Sequence, residues 1–156
     1  QRPSLIINKE QLLALMCANA YNPHANVIPV SNGFLNTLGA GIFNYGNMID
    51  NLSNSGMTYY SGTYPLGTTI FTKTVYLTKN QSIRAAIATV ASSDGTVDGI
   101  SFTDYDLFIK SSTGEILNFS YSEDSVIEVV DWKATMNGNY TIEIVVASDR
   151  VKSRDY

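Results

Sequence analysis

The chain has 156 residues, a formal net charge of −4 and an apolar fraction of 44%. This length suits one domain or one and a half, and this apolar fraction can fill a core. Lysine and arginine are scattered along the sequence, which predicts no nucleic-acid partner and no membrane partner. The apolar runs fall far short of the ~18 residues that cross a bilayer. With only 15% charged residues, the polar composition favours a secreted or cell-surface protein.

The first fifty residues predict two helices. Asn8 is a good helix N-cap, with Gln11 three residues later as in a capping box. Apolar residues then recur with the three-to-four spacing of a buried helix face. That face is predicted to comprise Leu12, Leu13, Met16, Cys17 and Ala20. Pro23 ends the first helix, and residues 45–52 predict a second, shorter one.

From residue 66 onward, the pattern changes to alternating apolar and polar residues. Strands are predicted at 70–77, 81–90, 104–110, 116–121, 126–130 and 138–145. The segment 111–115 is a turn by composition, in which Gly114 is free to adopt a positive φ. Trp132 is predicted in the core or at a sheet edge. These short antiparallel strands indicate a β-sandwich or a barrel, so the chain is predicted to be mainly β with an N-terminal α part.

Two residue types that often carry catalysis occur once each. Cys17 excludes an internal disulfide, and its place in the helical pattern predicts a buried thiol rather than a nucleophile. His24 follows a proline, and nothing in the sequence places a serine and an acid beside it, so we expect an exposed loop histidine. One histidine and one cysteine also argue against a zinc site.

The second half of the chain resembles a known family. Asp104-Tyr-Asp-Leu-Phe-Ile, the Ser-x-x-Gly turn and Asn137-Gly-Asn-Tyr-Thr-Ile-Glu-Ile resemble the bacterial pre-peptidase C-terminal domain. The resemblance implies a small, antiparallel, jelly-roll-like β-sandwich of the kind appended to secreted proteases.

The first half resembles a second family. The segment 8–20 is similar to a late helix of subtilisin-like serine proteases, and Gly39-Ala-Gly-Ile-Phe-Asn44 resembles the turn that closes their α/β catalytic domain. The order of helix, loop, turn and sandwich implies the end of a subtilisin-like domain in 1–53, a linker in 54–65 and a pre-peptidase-like sandwich in 66–150. The family's catalytic Asp, His and Ser motifs are absent from the sequence. We therefore expect a C-terminal fragment of a serine endopeptidase that is not catalytic alone, whose partners are the remainder of the catalytic domain and a protein substrate.

Calcium is the one cofactor that the sequence suggests. The segment 94–99 matches the first six positions of a calcium-loop pattern, but Tyr105 stands where the pattern requires glutamate. Some members of the pre-peptidase family carry calcium near similar acids, and Asp104 and Asp106 share one strand face. The candidate ligands are Asp94, Asp98, Asp104 and Asp106. The alternative is that these aspartates accept hydrogen bonds from turn amides.

Two other function classes stay open. Tyr59, Tyr60 and Tyr64 form an aromatic cluster before the first sandwich strand, and tyrosines combine stacking with hydrogen bonding. The cluster is therefore a candidate surface for a sugar or a peptide in a non-catalytic binding module. Its alternative role is to pack the linker against the sandwich. The third class is a purely structural domain of an exported protein.

Overall fold

The computed structural model of the protein describes residues 9–21, 40–53, 69–89, 92–93, 100–121 and 126–151. Within these ranges the chain is mainly β, with two helices near its N-terminus and antiparallel strand pairs. The elements in chain order are α1 (Lys9–Ala18), β1 (Ala20–Tyr21), β2 (Ile42–Phe43), α2 (Tyr45–Ser53), β3 (Thr69–Leu77), β4 (Ser82–Ala88), β5 (Ser92–Ser93), β6 (Ile100–Ser111), β7 (Ile116–Ser120), β8 (Ile127–Lys133) and β9 (Gly138–Val151).

The described residues of the N-terminal part form a small helix–hairpin–helix unit. We call 9–21 and 40–53 the N-terminal unit. Strand β1 pairs with β2, and α2 begins directly after this pair. Asn44 caps α2, because its Oδ1 accepts a hydrogen bond from the Asn47 amide at 3.0 Å. The two predicted helices are thus confirmed, whereas the predicted cap of α1, Asn8, lies outside the described residues.

The buried face of α1 differs in part from the predicted one. Cys17 is buried as expected, but Leu12 is 44% exposed and Leu15 is buried instead. Ala20 is also buried, but it lies in β1, because α1 ends at Ala18. The reason is that burial deepens towards the C-terminal end of the helix, where Arg84 of β4 contacts the backbone of Cys17. The periodicity identified the helix correctly up to Ala18 but did not show where it ends or which end would be covered.

The largest sheet has five strands in the order β3–β9–β6–β5, with β7 also paired to β6. Its inner face carries the core, in which Leu107 and Ile109 of β6 are at most 1% exposed. Partly buried side chains from the neighbouring strand pack beside them, namely Ile142 and Ile144 of β9. This alternation is the period of two that the sequence predicted.

A second sheet, made of β4 and β8, packs on this core. Val130 of β8 belongs to the same cluster as Leu107, and Trp132 packs against it from two positions further along the strand. On the opposite face of β8, Val129 is also fully buried, since α1 packs against β4 and β8 from that side. The described chain therefore has three layers: α1, the β4–β8 sheet and the five-stranded sheet.

Two tight turns join neighbouring strands, and the second confirms the turn predicted at 111–115. Between β3 and β4, the Gln81 amide donates to the Thr78 carbonyl at 3.0 Å, and Asn80 has a φ of 72°. Between β6 and β7, the Ser111 amide donates to the Glu115 carbonyl at 2.8 Å. Gly114 has a φ of 87° in this second turn, which is the freedom predicted for it.

Candidate functional site

Two of the four predicted calcium ligands lie in the described part of the chain. Asp104 and Asp106 are two residues apart on β6 and share the sheet face opposite to Leu107. Asp104 is buried, with only 3% of its surface exposed. Burial raises the pKa of the Asp106 carboxyl, and the nearby charge of Asp104 raises it further. The fold therefore brings these two carboxylates together, as the sequence predicted.

These two aspartates do not make a calcium site on their own. Calcium takes six to eight oxygen ligands in proteins. Among the residues that the structure describes, no group of three or more His, Cys, Asp or Glu side chains is placed to hold a metal ion. Asp94 and Asp98 lie outside the described residues, so calcium binding by the four acids stays a prediction.

The predicted buried thiol is confirmed. Cys17 is 7% exposed near the end of α1. Burial raises its pKa, while the positive charge of Arg84 acts in the opposite direction and lowers it. Because the thiolate is the nucleophilic form, this environment suits a structural cysteine. His24 and the three tyrosines of the predicted aromatic cluster lie outside the described residues.

A junction around Arg84 was not predicted from the sequence. Its guanidinium lies between the N-terminal unit and the β4–β8 sheet. The Nε atom donates to the Cys17 carbonyl at 2.9 Å, Nη1 donates to the Asp131 carboxylate at 2.6 Å, and Nη2 donates to the Ala40 carbonyl. The rigid fork of arginine suits such a set of convergent acceptors. Arg84 thus joins two separate segments of the N-terminal unit to one strand pair.

Inside the N-terminal unit, Asn19 makes a second junction. Its Nδ2 donates to the Leu15 carbonyl at 2.8 Å, and its Oδ1 accepts from the Asn51 side chain at 2.8 Å. Asn19 is buried, so this side chain ties the end of α1 to α2 in a water-poor site. The helices are therefore held in one unit by a polar contact as well as by the β1–β2 pair.

The N-terminal unit also exposes a concentration of large apolar side chains. Tyr21 and Ile42 are direct cross-strand partners and are both exposed. Tyr45 and Ile49 are four residues apart on α2, hence on one face of the helix, and are also exposed. We call these four side chains the apolar surface of the N-terminal unit. Exposed apolar surface of this kind, where it is contiguous, usually marks an interaction site.

The outer face of the five-stranded sheet carries aromatic rings. Phe108 of β6 and Phe119 of β7 are cross-strand partners, and Phe119 stacks on Tyr121 with ring centroids 5.0 Å apart. The Lys110 ammonium lies 5.7 Å from the Phe108 ring centroid and pairs with Glu143 at 2.5 Å. This face therefore combines aromatic rings with a lysine–glutamate ion pair, and such groups are common on ligand-binding surfaces.

A buried hydroxyl–carboxylate contact joins β7 to β8. The Ser120 hydroxyl donates to the Glu128 carboxylate, and the Val129 amide donates to the Ser120 oxygen at 3.3 Å. Both side chains are at most 2% exposed. No imidazole adjoins them in the described part of the chain, because the one histidine is His24. The contact links the two sheets.

No protein-family model and no curated protein matches the chain. Neither α1 nor α2 is long and apolar enough to cross a membrane, and no other helix lies in the described residues.

Proposed function

We propose that the chain is the C-terminal part of a secreted subtilisin-like serine endopeptidase. In this proposal, residues 1–53 are the end of the protease domain and 66–150 are an accessory, jelly-roll-like sandwich of the pre-peptidase type, with 54–65 as the linker. The chain is not catalytic alone, because the motifs for the catalytic Asp, His and Ser are not in its sequence. The proposal begins from the two motif resemblances.

The observation that carries the proposal is the apolar surface of the N-terminal unit. Full burial of one large apolar side chain stabilises a protein by ~1.5–3 kcal/mol. Tyr21, Ile42, Tyr45 and Ile49 are all exposed on a unit whose described residues form two short helices and a two-residue strand pair. The body of a catalytic domain would cover such a surface. The unit is therefore better understood as the end of a larger domain than as a complete one.

The geometry of Gly41 and Asn44, two described positions of the Gly39–Asn44 motif, supports this assignment. Gly41 has a φ of +104°, and a Cβ atom there would lie 2.7 Å from the Tyr21 carbonyl oxygen, so the close approach of β1 requires glycine. Asn44 then caps α2. Two positions of the motif thus have a physical reason for their residue type, as expected of a turn that closes a domain.

A complementation experiment tests the proposal. The gene region before the Gln1 codon should encode a Gly-Thr-Ser-x-Ala-x-Pro sequence, and that upstream portion should be co-expressed with this chain as a separate polypeptide. We expect the two to co-purify and a fluorophosphonate probe to label the serine of the upstream portion. The isolated chain should remain unlabelled.

A matched pair of exposed isoleucines sharpens this test. Ile49→Asp places a charge in the apolar surface and should abolish co-purification, since burying an unpaired charge is costly. Ile116→Asp, on β7 of the sandwich and similarly exposed, should leave co-purification intact. The absence of a serine motif upstream, or equal effects of both substitutions, would refute the assignment.

A second candidate function is a non-catalytic module that binds a sugar or a peptide. The stacked Phe119 and Tyr121 rings beside the Lys110–Glu143 pair favour it. Affinity electrophoresis in neutral polysaccharides and in gelatin should then show retardation that Tyr121→Ala removes. Tyr76→Ala, on an edge strand of the same sheet, is the control and should have no effect. Equal mobility of wild type and Tyr121→Ala in all gels would exclude this surface.

A further inference from the structure

We propose that the sandwich is an intramolecular brace for the end of the preceding domain, and that Arg84 is the residue that fastens it. The inference rests on the proposed function for the identity of the braced domain. The contacts themselves, however, all belong to this chain. A brace differs from a flexibly tethered module because it lowers the rate at which the N-terminal unit opens.

The hydrogen-bond acceptors of Arg84 show which parts of the N-terminal unit the sandwich binds. The Cys17 carbonyl belongs to the last turn of α1, where carbonyl groups lack partners within the helix and carry the negative end of the helix dipole. The Ala40 carbonyl belongs to the Gly39–Asn44 motif, beside β2. A single cation therefore binds the end of the helix and the closing turn together. Both segments belong to the part assigned to the protease domain.

Arg84 is held in this orientation by its own sheet. Asp131 is its cross-strand partner on β8, and the carboxylate lies 2.6 Å from Nη1. The Arg84 side chain is only 18% exposed, so its hydrogen bonds are partly shielded from water. Charge-assisted hydrogen bonds of this kind are about twice as strong as neutral ones. The ion pair and the two carbonyl contacts together hold the guanidinium in one orientation.

The residues around Arg84 on the outer face of the β4–β8 sheet are those expected of a packed interface rather than of a solvent-exposed surface. Ala86, two residues further along β4, has a small side chain, and its cross-strand partner Val129 is fully buried. A free outer strand face would instead carry polar side chains in alternation with the core. The outer face of the β4–β8 sheet therefore provides a packing surface for α1, which combines the apolar residues Ala86 and Val129 with the cation of Arg84.

Native-state hydrogen exchange tests the brace in the intact chain. We compare wild type, Arg84→Ala, Arg84→Lys and the control Lys133→Ala, which removes one exposed cation from the same sheet. In Arg84→Ala the α1 amides should exchange at least about tenfold faster, because loss of one charge-assisted bond is worth about a factor of ten. The amides of Leu107 and Ile109 in β6 should keep their wild-type rates, and Lys133→Ala should change neither region.

Arg84→Lys keeps the positive charge but loses the planar guanidinium with its several donors. The α1 amides of this variant should therefore exchange at a rate between those of wild type and Arg84→Ala. This variant also provides the measurement if Arg84→Ala does not fold. Unchanged α1 exchange in the folded Arg84 variants, or equal acceleration in α1 and β6, would overturn the brace. Either outcome is independent of the complementation experiment, which depends on the exposed side chains of the N-terminal unit and on the upstream polypeptide.

Discussion

Gly41→Ala should destabilise the N-terminal unit more than any other glycine-to-alanine change among the described turns and helices. Two separate penalties combine at this position. The backbone has a φ of +104°, where a side chain is strained, and a Cβ atom would lie 2.7 Å from the Tyr21 oxygen and 3.0 Å from its carbonyl carbon. The atoms in the way are backbone atoms of the paired strand, so they cannot move aside without disturbing the β1–β2 pair.

The expected magnitude follows from adding these penalties. Left-handed backbone strain costs ~1–2 kcal/mol for a residue with a Cβ atom. Overpacking against a structure that must shift costs another ~1–3 kcal/mol. We therefore expect Gly41→Ala to lower the free energy of unfolding by ~2–5 kcal/mol.

Alanine substitutions at two other glycines allow the cost of backbone strain to be measured apart from the cost of the close approach. Gly114 has a φ of +87°, but a Cβ atom there would have no neighbouring atom within 4 Å, so Gly114→Ala should lose only the ~1–2 kcal/mol of strain. Gly46 lies in α2 without a positive φ, and its Cβ would meet only the Asn44 side chain at 3.3 Å. Gly46→Ala should be neutral or stabilise by up to ~1 kcal/mol. Urea unfolding followed by circular dichroism measures all three, and an equal loss in Gly41→Ala and Gly114→Ala would refute the close-approach reasoning.

Three further predictions concern titratable groups. Cys17 should react with a thiol reagent far more slowly in the folded chain than in urea, since burial shields it and raises its pKa; rapid native labelling would contradict the structure. For Asp106, the raised pKa means that the folded chain binds the proton more readily than the unfolded chain. Stability should therefore fall as pH rises from about 3.8 through the raised pKa, and Asp106→Asn should flatten that slope in urea titrations. If the four acids bind calcium, millimolar calcium should raise the melting temperature of wild type, and Asp104→Ala with Asp106→Ala should abolish the increase; an unchanged wild-type curve would leave the hydrogen-bonding alternative.

The strands and turns were predictable because they follow from local chemistry. A strand was predicted at 104–110, where Leu107 and Ile109 occupy alternate positions, and these two residues are the ones that β6 buries. The turn predicted at 111–115 follows it, with Gly114 at a positive φ. The longer strands extend beyond the predicted bounds: β6 begins at Ile100 and β9 runs to Val151. The two-residue strands β1, β2 and β5 were not predicted, since so short a pair has no period and depends on contacts from elsewhere.

The candidate site was less predictable than the fold. In the strand predicted at 81–90, Arg84 follows Ile83 and so belongs to the opposite face, but a solvent-exposed arginine would have the same pattern. Its acceptors on Cys17 and Ala40 are backbone carbonyls that are distant in sequence. Every residue has a backbone carbonyl, so the sequence does not show which of them will accept a hydrogen bond. The same limitation explains Leu12, because helical periodicity defines a face but not how far a neighbouring sheet covers it.

The three-layer arrangement has a consequence for the predicted boundary between 1–53 and 66–150. Val129 and Val130 are consecutive residues of β8, and both are fully buried. Since successive strand residues point to opposite faces, Val130 packs in the core between the sheets while Val129 lies under α1. A separately expressed 66–151 piece would keep the first environment and lose the second.

Isosteric substitutions measure this difference. Val129→Thr should destabilise the intact chain by ~1–3 kcal/mol, because it buries a hydroxyl against α1 without a hydrogen-bond partner of its own. In the 66–151 piece the same change should be almost neutral, since the side chain there meets water. Val130→Thr is the control and should cost a similar ~1–3 kcal/mol in both, because the core between the sheets is common to them. Urea unfolding measures the loss of stability for each of the two substitutions, both in the intact chain and in the 66–151 piece. If Val129→Thr destabilises the piece as much as the intact chain, α1 does not cover β8 in solution, and the sandwich neither braces nor depends on the N-terminal unit.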